Sequence, residues 1–185
     1  VGIGSDCMLS ITTGGSNVAI GKASLDELLT GGYNVAVGVN TLHSADGAEA
    51  ENIAIGVSAG SGVDNDSSAH NVLIGSSTGA GGSGAMTQCI AIGSYAMDAT
   101  AGNAQTGTVA IGYNSLTSLT SGASNTAIGL DAGEFLTTGS GNTFVGKQSG
   151  QGITGTKLTG DSNTAIGKES GVLLQGAAAG NTLLG

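Results

Sequence analysis

The sequence has few of the residues that build a thick core. It contains no proline and no tryptophan, and only five of its 185 residues are aromatic: Tyr33, Tyr95, Tyr113, Phe135 and Phe144. Hydrophobic residues make up 39% of the chain, but many of them are alanine. A chain of this composition cannot assemble the interior of a compact enzyme, and we expect it to be non-catalytic.

Positive charge is also scarce. The chain has four lysines, no arginine and thirteen acidic residues, so its net charge is −9. Proteins that bind nucleic acids need a basic stripe that displaces counterions from phosphates. We therefore expect no nucleic-acid partner, and for the same reason no binding to an anionic membrane. The acidic residues have a simpler role in keeping a long surface soluble.

Long apolar runs and cysteine pairs are missing as well. No stretch approaches the roughly 20 apolar residues of a membrane span. Cys7 and Cys89 would lie about 20 Å apart if the repeat units described below stack at strand spacing. A disulfide requires Cα atoms within about 7 Å. We therefore expect two free thiols.

The sequence does contain a repeated pentapeptide, of which Asn125-Thr126-Ala127-Ile128-Gly129 is one copy. Successive copies are 17 to 19 residues apart, with one step of 21, which is typical of a solenoid. The sequence predicts a mainly β, elongated β-solenoid of about ten 17–21-residue repeats, a single array over residues 1–185. Because it begins and ends inside a motif, we expect a segment of a longer fibre without terminal caps. The glycines that close each copy stand at positions 4, 21, 38, 56, 75, 93, 112, 129, 146, 167 and 185.

The residue before each closing glycine is almost always β-branched, which favours a strand. The position two residues earlier is Val or Ile as far as Val109 and Thr from Thr126 onward. Alternation places these two positions on one face of the strand, and we expect that face to be the core, with the threonines near its rim. The predicted core ladder is Ile20, Val37, Ile55, Ile74, Ile92, Ile111, Ile128, Val145 and Ile166.

The residue between those two positions points the other way and is nearly always alanine. A small apolar residue on an outer face predicts close approach of another backbone, either a second wall or a neighbouring chain, and this is the main reason to expect an oligomer. The inter-wall or inter-chain alanines are Ala19, Ala36, Ala54, Ala91, Ala110, Ala127 and Ala165.

Asparagine opens most copies of the motif. Stacked asparagines can hydrogen-bond along a ladder, and asparagine also tolerates the left-handed conformation required at corners. The closing glycine fits a corner where φ is positive or where the chain passes close to its neighbour. The predicted ladder is Asn17, Asn34, Asn52, Asn71, Asn125, Asn142, Asn163 and Asn181.

The second leg of each unit carries apolar residues at a spacing of three, as in Leu25 and Leu28 or Leu116 and Leu119. This spacing favours one turn of helix, although such short pieces are not stable helices on their own. A second short strand with a bulge is the alternative.

Candidate chemical sites are sparse. Asp64-Asn65-Asp66 starts like a calcium loop but lacks the glycine and distal glutamate of an EF-hand. His43 and His70 have no second ligand at metal-binding spacing. Asp131 and Glu134 could be cast as a glycosidase pair, but solvated acids are the simpler interpretation. We therefore predict no catalytic, cofactor-binding or metal-binding residue.

The unit Asn125 to Gly129, followed by Asp131-Ala132-Gly133 and Thr137-Thr138-Gly139, resembles the repeats of bacteriophage tail-fibre and related virion proteins. Its Asn-x-Ala-Ile-Gly core is also similar to the head repeat of YadA-type trimeric autotransporter adhesins, which is shorter. The resemblance implies a homotrimeric, rod-like β-solenoid on a virion or cell surface. It further implies contacts with other virion or fibre proteins and a host-surface glycan or protein receptor, and no catalytic residues.

The functional expectation is a structural or host-attachment segment of a phage tail or virion fibre, located at the virion surface. The alternative is the head of a bacterial trimeric surface adhesin at the cell surface. A tailspike that degrades polysaccharide and an ice-binding solenoid are further hypotheses. The last would require a flat array of threonines, whereas Thr126, Thr143, Thr164 and Thr182 form one column predicted to face the core.

Overall fold

The computed structural model describes residues 1–82, 84–99 and 103–185. Each repeat contributes one short strand to a parallel sheet, and about ten turns of the chain stack as a β-solenoid. The strands of this eleven-stranded sheet are β1 (Gly2–Ile3), β2 (Val18–Ile20), β3 (Val35–Val37), β4 (Ile53–Ile55), β5 (Val72–Ile74), β7 (Ile90–Ile92), β9 (Val109–Ile111), β10 (Thr126–Ile128), β11 (Thr143–Val145), β12 (Thr164–Ile166) and β13 (Thr182–Leu184). A second, two-stranded parallel sheet pairs β6 (Met86–Thr87) with β8 (Gln105–Thr106).

The strands are in register, motif position against motif position. Ala110 is paired with Ala127, and Ile111 with Ile128. The one step of 21 residues does not disturb this pairing, since Thr143 is paired with Thr164. The extra residues are therefore accommodated in the second leg, and the predicted stacking of one pentapeptide above the next is confirmed.

The predicted orientation of the strands is wrong. The alanine of each motif faces the interior: Ala19, Ala36, Ala54, Ala91, Ala110, Ala127 and Ala165 are all fully buried. The predicted core ladder faces outward instead. Four of its members are exposed (Ile20, Ile55, Ile128 and Ile166), and five are half-buried (Val37, Ile74, Ile92, Ile111 and Val145).

The physical reason lies in the second leg. Its leucines, among them Leu25, Leu28, Leu116 and Leu119, are fully buried and fill the space enclosed by each turn. A turn of about 17 residues encloses a narrow space, so the opposite wall can contribute only a small side chain. The inward position of the strand is alanine because the second wall of the same chain lies against it. Of the two partners considered for the alanines, the second wall is the one observed.

The second leg contains no helix within the described ranges, so the one-turn helices suggested by the sequence are not observed. Ala23 and Leu25 both have positive φ, 50° and 52°, with Ser24 between them. This alternation directs backbone groups along the stack: the Leu25 N–H donates to Thr41 O at 3.1 Å, one turn away. For the same described residues, no helix is long and apolar enough to cross a membrane.

The asparagines form the predicted hydrogen-bonded ladder. Asn17 Oδ1 accepts hydrogen bonds from the backbone N–H and the side-chain Nδ2 of Asn34, at 2.9 and 3.2 Å. Asn34 Nδ2 also donates to Glu49 O at 2.8 Å, which ties the strand to the second leg. The left-handed conformation lies one residue earlier, at Ser16 and Tyr33. The amide geometry, rather than tolerance of positive φ, therefore explains asparagine at this position.

The closing glycines meet both conditions proposed for them. In ten of them, from Gly4 to Gly167, φ lies between 120° and 142°. A Cβ atom built on Gly112 would overlap the carbonyl oxygen of Gly129 in the next turn. Glycine is required here because the chains of successive turns pass too close for any side chain.

Gly112→Ala is expected to lower the free energy of unfolding by about 2–4 kcal/mol, because it combines a strained φ with backbone overlap. Gly155→Ala is the matched control, since a Cβ there would contact nothing within 4 Å. Chemical denaturation monitored by circular dichroism compares the two variants with the parent. Equal stability of both variants would contradict the close-approach explanation.

The asparagine ladder is interrupted at two adjacent turns. The Cys89 N–H still donates to Asn71 Oδ1 at 2.9 Å, and the ladder resumes at Asn125. Between them, the buried hydroxyl of Thr108 has no hydrogen-bond partner among the described residues. Cys89 is fully buried and not in a disulfide, and burial raises the pKa of its thiol.

Cys89→Asn is expected to stabilise the chain by about 1 kcal/mol. In a complete turn, the asparagine oxygen accepts hydrogen bonds from both the backbone N–H and the side-chain amide of the next asparagine. The new amide at position 89 would supply the second of these bonds to Asn71 Oδ1. Thermal unfolding of Cys89→Asn, with Cys89→Ser as the control that removes the thiol without adding an amide, checks this. A melting temperature of Cys89→Asn no higher than that of Cys89→Ser would show that the ladder contributes nothing at this turn.

Candidate functional site: the outward face of the sheet

The outward face of the eleven-stranded sheet is the most distinctive surface of the chain. Every outward side chain of its described strands is aliphatic or threonine. Two columns form this face, which is called the ladder face below. One contains Val18, Val35, Ile53, Val72, Ile90, Val109 and then threonines, and the other contains Ile3, Ile20, Val37, Ile55, Ile74, Ile92, Ile111, Ile128, Val145, Ile166 and Leu184.

The ladder face is exposed although it is apolar. Ile20 and Ile55 are each 39% exposed, and Ile166 is 43% exposed. Eleven strands at about 4.8 Å spacing make a strip about 50 Å long, and a three-residue strand makes it about 10 Å wide. An apolar strip of about 500 Å² is as large as the largest patch on a typical monomer, and such patches are often functional.

A further column of residues, those directly after the closing glycines, extends the ladder face at one edge. Val39, Val57, Tyr113 and Leu130 occupy the first position after the glycine and are 40–53% exposed. The Tyr113 ring packs edge-on against Tyr95, with 5.7 Å between the ring centroids. Three of the four lysines (Lys22, Lys147 and Lys168) share this column, so the apolar strip has cations along one border.

The threonines from Thr126 onward lie on the ladder face, not at the rim of the core as predicted. Thr126, Thr143 and Thr164 are half-buried and aligned in register. The argument that they face the core therefore no longer counts against ice binding. They still form a single column of hydroxyls beside a column of Ile and Val, which makes the second half of the face less apolar than the first.

The acidic pair considered for glycoside hydrolysis is held by separate partners. Asp131 Oδ1 accepts a hydrogen bond from Asn114 Nδ2 at 3.3 Å, in the preceding turn. Glu134 Oε2 accepts one from Gln151 Nε2 at 2.7 Å, in the following turn. These contacts join neighbouring turns along the stack, which is a structural role.

Both histidines also pair with a carboxylate one turn away. His43 Nδ1 contacts Asp26 Oδ1, and His70 Nδ1 lies 3.1 Å from Glu51 Oε2. Each histidine thus has one carboxylate neighbour, as expected for surface residues in a stacked array.

The sequence identified the residues of the ladder face but assigned them to the interior. The pattern itself contained one signal of the true orientation: an interior that also holds buried leucines from the second leg has no room for a second column of isoleucines. Comparison of the chain with protein-family models, with curated proteins and with solved structures found no match.

Proposed function

We propose that this chain is a non-catalytic structural segment of a phage tail or virion fibre, and that three copies pack through their ladder faces. The single observation that carries this proposal is the exposed, uncharged, in-register ladder face. The resemblance of the repeat to virion-fibre proteins supports the location at the virion surface.

A second copy of the chain is the occupant that best fits the ladder face. All thirteen acidic residues and four lysines of the chain lie outside the pentapeptide motifs, although the chain carries a net charge of −9. A face kept free of charge over about 50 Å is suited to a partner with the same length and the same spacing of turns. Another copy of this chain has both.

The narrowness of the ladder face supports three copies rather than two. Sheets about 10 Å wide can converge on a common axis so that each face packs against two others. The strip and its flanking residues together approach the roughly 800 Å² per partner of a standard interface. The number three also follows the resemblance to trimeric fibres and adhesins.

In this arrangement the second legs lie on the outside of the trimer. The insertions between motifs, of which residues 150–162 are the longest, would then be available for contact with a host-surface glycan or protein. Insertions in solenoids commonly lie on a binding face. Other fibre proteins would join the array along its axis.

Sedimentation equilibrium of the purified chain tests the assembly. We expect a mass about three times the 17.5 kDa of one chain. A single-chain mass at about 10⁻⁵ M, a concentration at which a specific interface of standard size is formed, would overturn the trimer. Immunogold labelling of purified virions tests the location separately, and a trimer absent from virions would refute the fibre role alone.

A bacterial trimeric adhesin head is the alternative that the same ladder face permits. The complete reading frame distinguishes the two, because an adhesin carries a membrane-anchor barrel whereas a fibre carries a virion-assembly domain. A polysaccharide-degrading tailspike would require release of reducing sugar from host capsule that Asp131→Asn or Glu134→Gln abolishes.

A further inference from the structure

Three carboxylates from two successive turns meet in the first half of the chain. Asp46 and Glu49 lie between β3 and β4, and Asp66 lies between β4 and β5. One carboxylate oxygen from each of the three lies within 4.8 Å of the other two. The Ala48 N–H donates to Asp66 Oδ1 at 3.1 Å across 18 residues, which fixes Asp66 over the preceding turn.

Gly47 makes room for this arrangement. A Cβ atom at position 47 would collide with Asp66 Oδ1, so only glycine lets the carboxylate settle there. The Gly47 N–H also donates to Glu49 Oε2 at 3.0 Å, and this bond orients the Glu49 carboxylate. The loop thus holds one oxygen of Glu49 and one of Asp66 with backbone donors.

The second oxygen of Glu49 is unpartnered. Glu49 is 1% exposed, and its Oε1 has no hydrogen-bond partner among the described residues. None of the salt bridges among those residues involves Asp46, Glu49 or Asp66. A buried carboxylate oxygen without a donor or a cation is costly and rare.

The electrostatics of Glu49 also indicate that its carboxylate lacks a positively charged partner. Burial raises the pKa of Glu49, and the negative charges of Asp46 and Asp66 raise it further, against two hydrogen bonds from backbone groups that lower it. A cation among the three carboxylates would reverse both unfavourable effects, because it replaces lost hydration and cancels the like charges.

We propose that Asp46, Glu49 and Asp66 bind one Ca²⁺ ion that links two successive turns of the solenoid. Ca²⁺ is coordinated by oxygen at about 2.4 Å, so oxygens on opposite sides of the ion are about 4.8 Å apart. Three carboxylate oxygens within that distance of one another fit in one coordination sphere, and water completes it. Mg²⁺ requires shorter bonds and near-ideal octahedral geometry, which this loop arrangement suits less well.

Isothermal titration of the chelator-treated chain with CaCl₂ tests the proposal. At about 0.15 M ionic strength, where exposed charges more than about 8 Å apart are screened, we expect one Ca²⁺ per chain. The expected dissociation constant is on the order of 10⁻⁴ M, within the range of weaker calcium sites. MgCl₂ is expected to bind at least about ten times more weakly.

Three variants locate the site. Glu49→Gln and Asp66→Asn each remove one charged ligand and are expected to weaken Ca²⁺ binding at least about tenfold, since ligand charge sets affinity. Asp64→Asn is the matched control: it removes the same charge from the same loop, but Asp64 is exposed and outside the cluster. We expect its affinity to stay within about twofold of the parent, as screening of a remote charge implies.

Melting temperatures provide a second readout. Without Ca²⁺, Glu49→Gln should melt at or above the parent, because it removes a buried charge. With saturating Ca²⁺, the parent should melt higher, because the parent binds the ion more tightly and gains more stability from it. Three results would overturn the proposal: no saturable binding below about 10⁻² M, ten times the weakest affinity of known calcium modules; equal weakening by Asp64→Asn; or equal affinity for Mg²⁺.

Discussion

Ile55→Glu is expected to separate the proposed trimer into single chains without unfolding them. Ile55 lies near the middle of the first half of the ladder face and is 39% exposed in the single chain. It is aligned in register with Val37 on one side and Ile74 on the other. In the proposed trimer, three copies of the new carboxylate would converge in an apolar interior. Burying an unpaired carboxylate costs several kcal/mol or more. A glutamate on the exposed face of a single chain changes the free energy of unfolding little.

Leu173→Glu is the matched control for Ile55→Glu. Leu173 is 73% exposed and lies in the second leg between β12 and β13, away from the ladder face. The apolar-to-glutamate change is the same, so any general effect of added charge appears in both variants. Sedimentation velocity should show a single chain for Ile55→Glu and a trimer for Leu173→Glu, with the same circular dichroism for both. A trimeric Ile55→Glu would show that the ladder face is not the interface.

The sequence predicted the stacking of the turns because the repeat itself encodes it. Each motif position pairs with the same position in the next turn, as Ala36 does with Ala54, and nothing beyond periodicity is needed to infer this. The closing glycines and the asparagine ladder were predictable for the same reason. When the same residue recurs from turn to turn, its main neighbour is its own copy in the next turn. Its role is therefore limited to contacts between stacked turns.

Which face of the strand is inside was not predictable from alternation alone. Alternation places Ala36 and Val37 on opposite faces, but it does not say which face is enclosed. The assumption that the larger side chain is buried failed, because Leu25 and Leu28 of the second leg already fill the narrow interior. The single-chain structure leaves the larger column outside, where a partner rather than the chain itself can cover it.

The acidic cluster was missed for a different reason. Asp46 and Glu49 are far from Asp66 in sequence, and a search for ligands at short spacing does not join Asp66 to them. The turn of 19 residues between Gly56 and Gly75 carries Asp66 to a position over Gly47. Sites of this kind become visible in a solenoid only when residues are compared one turn apart.

The interior contains one further pattern, in which large and small residues compensate each other. The inward position of the strand is alanine in most turns, but it is Phe144 in β11 and is fully buried there. The second leg has Leu42 or Leu116 at the facing position in some other turns, and glycine in the two turns that contact Phe144. A Cβ on Gly133 would lie 2.9 Å from the Phe144 ring, and one on Gly150 would overlap it. The ring thus fills the space that leucine side chains occupy elsewhere.

This compensation predicts that substitutions at Phe144 and Gly150 each lower the free energy of unfolding substantially, and that their effects are strongly coupled. Phe144→Ala should lower the free energy of unfolding by about 3–5 kcal/mol, since it leaves a cavity. Gly150→Leu should destabilise the chain by about 1–3 kcal/mol or more, because the new side chain overlaps the ring. The backbone does not forbid leucine, since φ is 55° at Gly150 and 52° at Leu116.

The double variant Phe144→Ala/Gly150→Leu should be more stable than the sum of the single changes implies. It reproduces the arrangement of Ala110 with Leu116, both fully buried. We expect a favourable coupling of about 3 kcal/mol, at the upper end for residues in contact. Recovery should be incomplete, because the space beside Gly133 stays empty.

Urea denaturation of the parent, both single variants and the double variant measures this coupling. Phe144→Ala/Gly79→Leu is the control pair: Gly79 has a similar φ of 58° but lies beside Leu73, four turns from Phe144. The two changes in the control should be additive within about 0.5 kcal/mol, as for distant sites. If the Phe144 and Gly150 changes are also additive, the ring does not fill the leucine position, and the glycines of the second leg need another explanation.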